Sequence, residues 1–369
     1  MPEESKKGEK TMNEILKNPK ANASFSAMDE ENFFSFLTEM AETDVWKVCS
    51  ADDIRMRTKD GILLIELGSE GSYEMHPDAV TSVRRRCGDL SGKILDRLNA
   101  EETAASMNIY WPHVDGEVKA LIRGGKLLAL HSRRYIPFQQ KQLYETFKKM
   151  IEGKYDKVCF EKATYKHDRT YAIFEIVSER LLSGYKLAMA KAGITASKDV
   201  RAYVELATSD AGVNAISLHP SLSLNHNERV FITKPEPIDH RDNVTFAKAE
   251  AEMGKVFALV SDGIKNLKRL LSIELTYPSA VAIKIAQDRK LNLPGSLIKE
   301  IRTEFQIPEK MGLTMNAHQF YFTLCEILEK EGFQKLTPLR QLRVKESLAQ
   351  IALWPEAKWT EKDVNDVSW

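Results

Sequence analysis

The chain has 369 residues, 43% hydrophobic and 8% aromatic, which allows two or more compact units and excludes a disordered protein. Its 53 basic and 53 acidic side chains cancel, which excludes a uniformly cationic coat for nucleic acid. No apolar run approaches the roughly 20 residues of a membrane helix, and Met1 to Lys7 lacks the apolar core of a signal peptide, so a cytoplasmic protein without membrane contact is expected.

The first 25 residues, rich in Lys, Glu, Asn, Ser and Pro, read as a mobile tail. Ile54–Thr58 and Ile62–Leu67 flank Lys59-Asp60-Gly61, and an Asp-Gly pair between apolar runs predicts a tight hairpin. From Pro77 to Leu98 the spacing of Val80, Val83, Cys87, Leu90, Ile94 and Leu98 predicts a helix. Val118–Ser132 reads as a second hairpin around Gly124-Gly125, followed by a helix over Gln140–Ile151. Val158–Thr164 and Thr170–Val177 form a third strand pair around His167-Asp168, and Val200–Ala207, Ala215–Leu218 and Arg229–Thr233 supply further strands.

Past Pro237, Met253, Val256, Phe257, Val260, Ile264, Leu267 and Leu271 form a helical stripe. One long helix is expected over 243–275, with Asp242 as its N-cap. Pro278, Pro294, Pro308 and Pro338 then punctuate shorter helices. The expected class is α+β: a β-rich core layer interrupted by helices over 26–240, and an all-α part over 241–369.

The neutral total hides an asymmetry. Met28–Met75 carries 12 acidic against 4 basic residues, and Val118–Arg201 carries 18 basic against 8 acidic. Arg84-Arg85-Arg86 fans guanidinium groups around one helix end, either to neutralise phosphates or as a solvated face paired with the acidic segment. Arg123 and Lys126 flank the second hairpin turn, and His131-Ser132-Arg133-Arg134-Tyr135 follows its second strand. Arginines beside a ring suit single-stranded nucleic acid, with Tyr135 stacking on bases; the alternative is a core Tyr135 with arginines paired to carboxylates. Lys162, Lys166 and Arg169 sit on the third hairpin, where simple alternation places Tyr165, His167 and Arg169 opposite the two lysines. Such a hairpin serves as a nucleic-acid finger, or its lysines merely discourage edge pairing.

Signs of catalysis are lacking. There is no Gly-x-Gly-x-x-Gly, phosphate loop or nucleophile elbow, and Ser209 with His240 and Asp242 lacks the context of a triad. Cys49, Cys87, Cys159 and Cys325 are too dispersed for zinc or redox chemistry. We expect a non-enzyme without metal or cofactor.

Several distinct blocks stand in order along the chain: Val118–Arg123, Ala129–Tyr135, Thr208–Gly212, His240 and Leu293-Pro294. In that order they resemble the phage/plasmid-like family known as domain of unknown function nine-three-two. The Cys-x-Asn-Gly block of many members is replaced here by Leu222–Asn227. The resemblance implies a mobile genetic element in a bacterial cytoplasm and no particular reaction. The expected role is a nucleic-acid-binding accessory protein, for single-strand binding or annealing, acting as a homo-oligomer. The alternative is an interaction protein that inhibits a host defence system.

Overall fold

The structure is a computed structural model describing residues 24–88, 97–166, 169–195, 199–210, 215–224, 229–238, 244–288, 295–310, 314–328 and 338–360. Two sheets organise the first two thirds of the chain. β1 (Ser24–Met28) starts two residues inside the expected tail and leads through α1 (Glu30–Thr43) to β2 (Asp44–Ser50), β3 (Ile54–Lys59), β4 (Ile62–Leu67) and β5 (Ser72–Met75). Then come α2 (Pro77–Arg86), α3 (Ala100–Tyr110), β6 (Glu117–Arg123), β7 (Lys126–Ser132) and α4 (Gln140–Lys154). β8 (Lys157–Lys166), β9 (Arg169–Val177), α5 (Glu179–Lys191), β10 (Val200–Ser209), β11 (Ile216–Leu224), β12 (Val230–Phe231) and β13 (Glu236–Ile238) complete this part.

The smaller sheet has the order β2-β6-β7-β5-β4-β3; the larger runs β1-β8-β9-β10-β11-β12, with β13 also on β11. Asp60 and Gly61, at φ 53° and 75°, turn β3 into β4, while Gly124 and Gly125, at 55° and 74°, turn β6 into β7. Both pairs supply the left-handed residues that a two-residue hairpin loop needs. β5 runs parallel to β7, a pairing that no local turn encodes.

Each sheet carries its own core. Ile54, Ile65, Val83, Met107, Trp111, Ala120 and Leu127 close the smaller sheet against α2 and α3. The larger core gathers Phe33, Phe36, Phe147, Phe174, Val204 and Leu218 together with Val260, Leu267, Phe320 and Ile351 from the C-terminal helices. Enclosing side chains of this size stabilises by roughly 1.5–3 kcal/mol each. The division expected at residue 240 therefore does not separate two cores, because the C-terminal helices complete the larger sheet.

The long helix is two helices, α6 (Phe246–Gly254) and α7 (Val256–Leu270). Gly254 weakens the helix interior, and Lys255 N–H turns tightly onto the Glu252 carbonyl at 3.1 Å. The stripe survives the break, with Met253, Val256, Val260, Ile264 and Leu267 all buried. The N-cap is Thr245, whose hydroxyl accepts from Lys248 N at 3.2 Å; Asp242 lies outside the described residues. β14 (Glu274–Leu275), α8 (Pro278–Gln287), α9 (Gly295–Lys310), β15 (Met315–Asn316), α10 (Ala317–Leu328), α11 (Pro338–Ala352) and α12 (Glu356–Thr360) follow. Among the described residues the C-terminal part is thus helical apart from the short β14–β15 pair, and Pro308 lies within α9 rather than between helices. The helix expected to continue to Leu98 ends at Arg86, with residues 89–96 outside the described part.

Candidate anion-binding pocket

A pocket of about 380 Å³ lies between α2, the turn after α3 and the end of β7, lined by Ser82, Arg85, Arg86, His113, Val114, Asp115, Leu130 and His131. Local chemistry fixes each wall. Pro77 occupies the first turn of α2, and the His76 ring accepts from Asp78 N at 3.3 Å as its cap. Ser82 ties the helix to β7: its hydroxyl donates to the Ala79 carbonyl at 2.9 Å and accepts from Leu130 N at 3.0 Å. Arg85 and Arg86, three and four residues on, share that face of the helix. Opposite them, the short 3-10 turn Trp111–His113 is anchored by Trp111, whose indole N–H donates to the Ala51 carbonyl at 2.8 Å. That anchor carries His113 and Asp115 to the pocket rim.

The electrostatics favour an anion. Arg85 and Arg86 are exposed, and neither makes an ion pair among the described residues. Their place in the last turn of α2 opposes the negative end of the helix dipole. Desolvation by the pocket wall lowers the Arg86 guanidinium from its ordinary value, yet arginine stays cationic at any working pH. Asp115 is the one carboxylate among the described lining residues. Two guanidinium forks beside an imidazole can hold a phosphate or carboxylate through charge-assisted hydrogen bonds.

His131 forms part of the floor and joins the pocket to a buried network between the two sheets. Its Nε2–H donates to the Asp210 backbone carbonyl at 2.6 Å, and its ring stacks on Tyr135 at 3.9 Å, which in turn stacks on Trp46 at 5.7 Å. Beside it, Arg123 is 2% exposed and donates from Nε and Nη2 to the two Asp44 carboxylate oxygens at 2.5 and 2.7 Å. Burial pulls the Arg123 pKa down, but the Asp44 charge outweighs it and holds the group above its usual value. The Asp210 carboxylate lies 3.7 Å from Arg123 and accepts from the Gln140 amide, which accepts from Thr170. Burial, then repulsion from Asp44, push Asp210 from 3.8 up to about 7. Asp44 and Arg123 come from the smaller sheet, and Gln140, Thr170 and Asp210 from the larger sheet and its helix. The network latches the two together.

The expected nucleic-acid residues do not converge. Only Arg85 and Arg86 line the pocket, while Arg84 is half-buried on the same turn. Arg123 lies inside the latch. Tyr135, 8% exposed, presents no face to solvent, because it turns inward onto His131; it is not a stacking platform for bases. Lys126 pairs with Glu74 at 2.6 Å and Arg133 with Glu117 at 3.2 Å, while Arg134 is exposed on the turn after β7. Glu74, like Asp44 beside Arg123 and Glu30 beside Lys148, brings the acidic early segment onto cations of the later one.

On the third hairpin, Lys166 pairs in register with Arg169. A two-residue turn joins positions three apart, so alternation does not carry across it, and Arg169 shares a face with the Lys162 and Lys166 positions rather than with Tyr165. Tyr165 is buried against Phe36, and Arg169 faces Glu205 at 3.9 Å. Lys162 is half-buried, and His167 and Asp168 lie outside the described residues.

Ser209 ends β10 in the interior, and His240 with Asp242 lies outside the described residues. A different pair, Ser217 and His219, does approach at 2.8 Å, with Glu346 4.0 Å from the other ring nitrogen. His219 is fully enclosed, and burial, then the Arg169 charge, depress its pKa to about 3, so this neutral imidazole has no route to a substrate. Among the described residues no group of three or more His, Cys, Asp or Glu could hold a metal ion, and no helix is long and apolar enough to cross a membrane. No protein-family model, no curated protein and no solved structure matches this chain.

Proposed function

We propose that this protein is a non-enzymatic nucleic-acid-binding accessory of a phage or plasmid, holding backbone phosphate in the pocket beside α2. The observation that carries the reading is the pairing of Arg85 and Arg86 on one wall, without carboxylate partners among the described residues. Arg123, Lys126, Arg133, Lys148 and Arg169 of the basic segment, by contrast, each face a nearby acid. The ordered sequence blocks support a mobile-element setting. A homo-oligomer would multiply one weak phosphate contact along a strand.

Fluorescence anisotropy with a labelled single-stranded oligonucleotide at low salt tests this. Wild-type protein is expected to bind, and the Arg85→Ala/Arg86→Ala double variant to lose most of that affinity. Equal binding by both proteins would move the contact elsewhere. The alternative, an inhibitor that docks on a host defence protein, draws on Val45 and Val48, 48% and 54% exposed on the edge strand β2, where a partner strand could add. Co-purification of a host protein that Val48→Lys abolishes, with no oligonucleotide binding, would favour it.

A further inference from the structure

The pocket is open on the side where Arg85, Arg86, His113 and Asp115 are exposed and is floored by the buried Leu130 and His131. Its volume of about 380 Å³ sits at the small end of the roughly 300–1,000 Å³ range of small-molecule sites. Two guanidinium groups match the double charge of a phosphate monoester better than the single charge of a diester. Asp115 would repel phosphate, yet as an acceptor-only group it suits the hydroxyl or amino donors of an attached nucleoside. Val114 and Leu130 add an apolar wall for a ring.

From this arrangement we infer that the pocket recognises a nucleotide phosphomonoester, either the phosphorylated end of a strand or a free nucleoside monophosphate, with Arg85 and Arg86 on the phosphate and Asp115 on the sugar or base. The inference rests on the nucleic-acid reading above and narrows it to an end.

The test compares the full chain's affinity for the same single-stranded oligonucleotide with a 5′-phosphate, a 3′-phosphate or hydroxyls at both ends, and for a nucleoside monophosphate and inorganic phosphate. One phosphorylated form is expected to bind at least about tenfold more tightly than the hydroxyl-ended strand, the worth of one added charge-assisted contact. The monophosphate should compete. Arg85→Ala/Arg86→Ala should abolish the preference, and Asp115→Ala should lower nucleoside monophosphate affinity towards that of inorganic phosphate. Arg133→Ala, outside the pocket, should change neither. Circular dichroism checks that the variants fold.

If all three strands bind alike and the monophosphate does not compete, end recognition is overturned while nucleic-acid binding stands. Binding of the monophosphate without any strand would support the pocket's chemistry with a free nucleotide as its ligand. Binding of none of these probes would overturn both readings.

Discussion

Replacing Asp210 by Asn isolates the energetic consequence of the inter-sheet latch. Asp210 is 7% exposed; burial and the Asp44 charge raise its pKa from 3.8 to about 7, against the pull of Arg123 and of the Gln140 hydrogen bond. The native state therefore keeps a proton that the unfolded chain has released, and the stability this contributes is full below about pH 4. It is lost as pH rises towards 7 and stays lost above. A shift of about three units at roughly 1.4 kcal/mol each amounts to something on the order of 4 kcal/mol. Asn stays neutral at every pH, and its amide oxygen can still accept from Gln140. Urea denaturation of both proteins from pH 4 to pH 8 measures the effect, because other titrating groups cancel in the difference. The variant should match the wild type near pH 4 and exceed it by several kcal/mol at pH 8. A difference that stays flat with pH, or a variant less stable at pH 8, would refute the reasoning.

Arg123→Ala leaves Asp44 and Asp210 facing each other without their cation, and urea denaturation at pH 7 should report a loss of about 3–5 kcal/mol. Leu267→Ala opens a hole in the larger core where Leu267 is fully enclosed, at a cost of about 2–5 kcal/mol in the same assay. Gly263→Ala in α7 should lower the melting temperature although alanine favours helix by about 1 kcal/mol, because the new methyl would sit 2.6 Å from Ile232 Cγ1 and 2.8 Å from its Cδ1. Crowding of that kind costs about 1–3 kcal/mol; a stabilised variant would show that Ile232 moves aside freely.

Elements coded by neighbouring residues were legible in the sequence. Asp60-Gly61 and Gly124-Gly125 announce their hairpins through turn chemistry, and the stripe from Met253 to Leu267 announces a buried helical face. The break at Lys255 escaped notice because periodicity continues across it. α3 was missed because its buried Thr103, Ala104 and Met107 make only a weak stripe, whereas Phe33, Phe36, Leu37 and Met40 in α1 and Leu182, Tyr185 and Met189 in α5 do repeat at helical spacing and could have announced both helices. The pocket was half visible: Arg85 and Arg86 stand out as a triplet with Arg84, but His113 and Asp115 reach them only through the anchoring of Trp111 on Ala51. The latch was invisible because Arg123 and Asp44 lie 79 positions apart, and no local pattern declares that an arginine at the end of a strand faces a second sheet. Tyr135 follows the alternative reading, a ring in the core, for a related reason: a ring beside arginines has the composition of a stacking platform, and only the tertiary neighbours Trp46 and His131 determine which way it turns.

The salt dependence of oligonucleotide binding tests the central claim most directly, since phosphate contacts release counterions and set the slope of log affinity against log salt at roughly −0.7 per contact on single strands. The account predicts that Arg85→Ala/Arg86→Ala flattens the wild-type slope by about one to two units, while Arg133→Ala/Arg134→Ala leaves it unchanged. An unchanged slope for the first pair, with the loss appearing in the second, would contradict it.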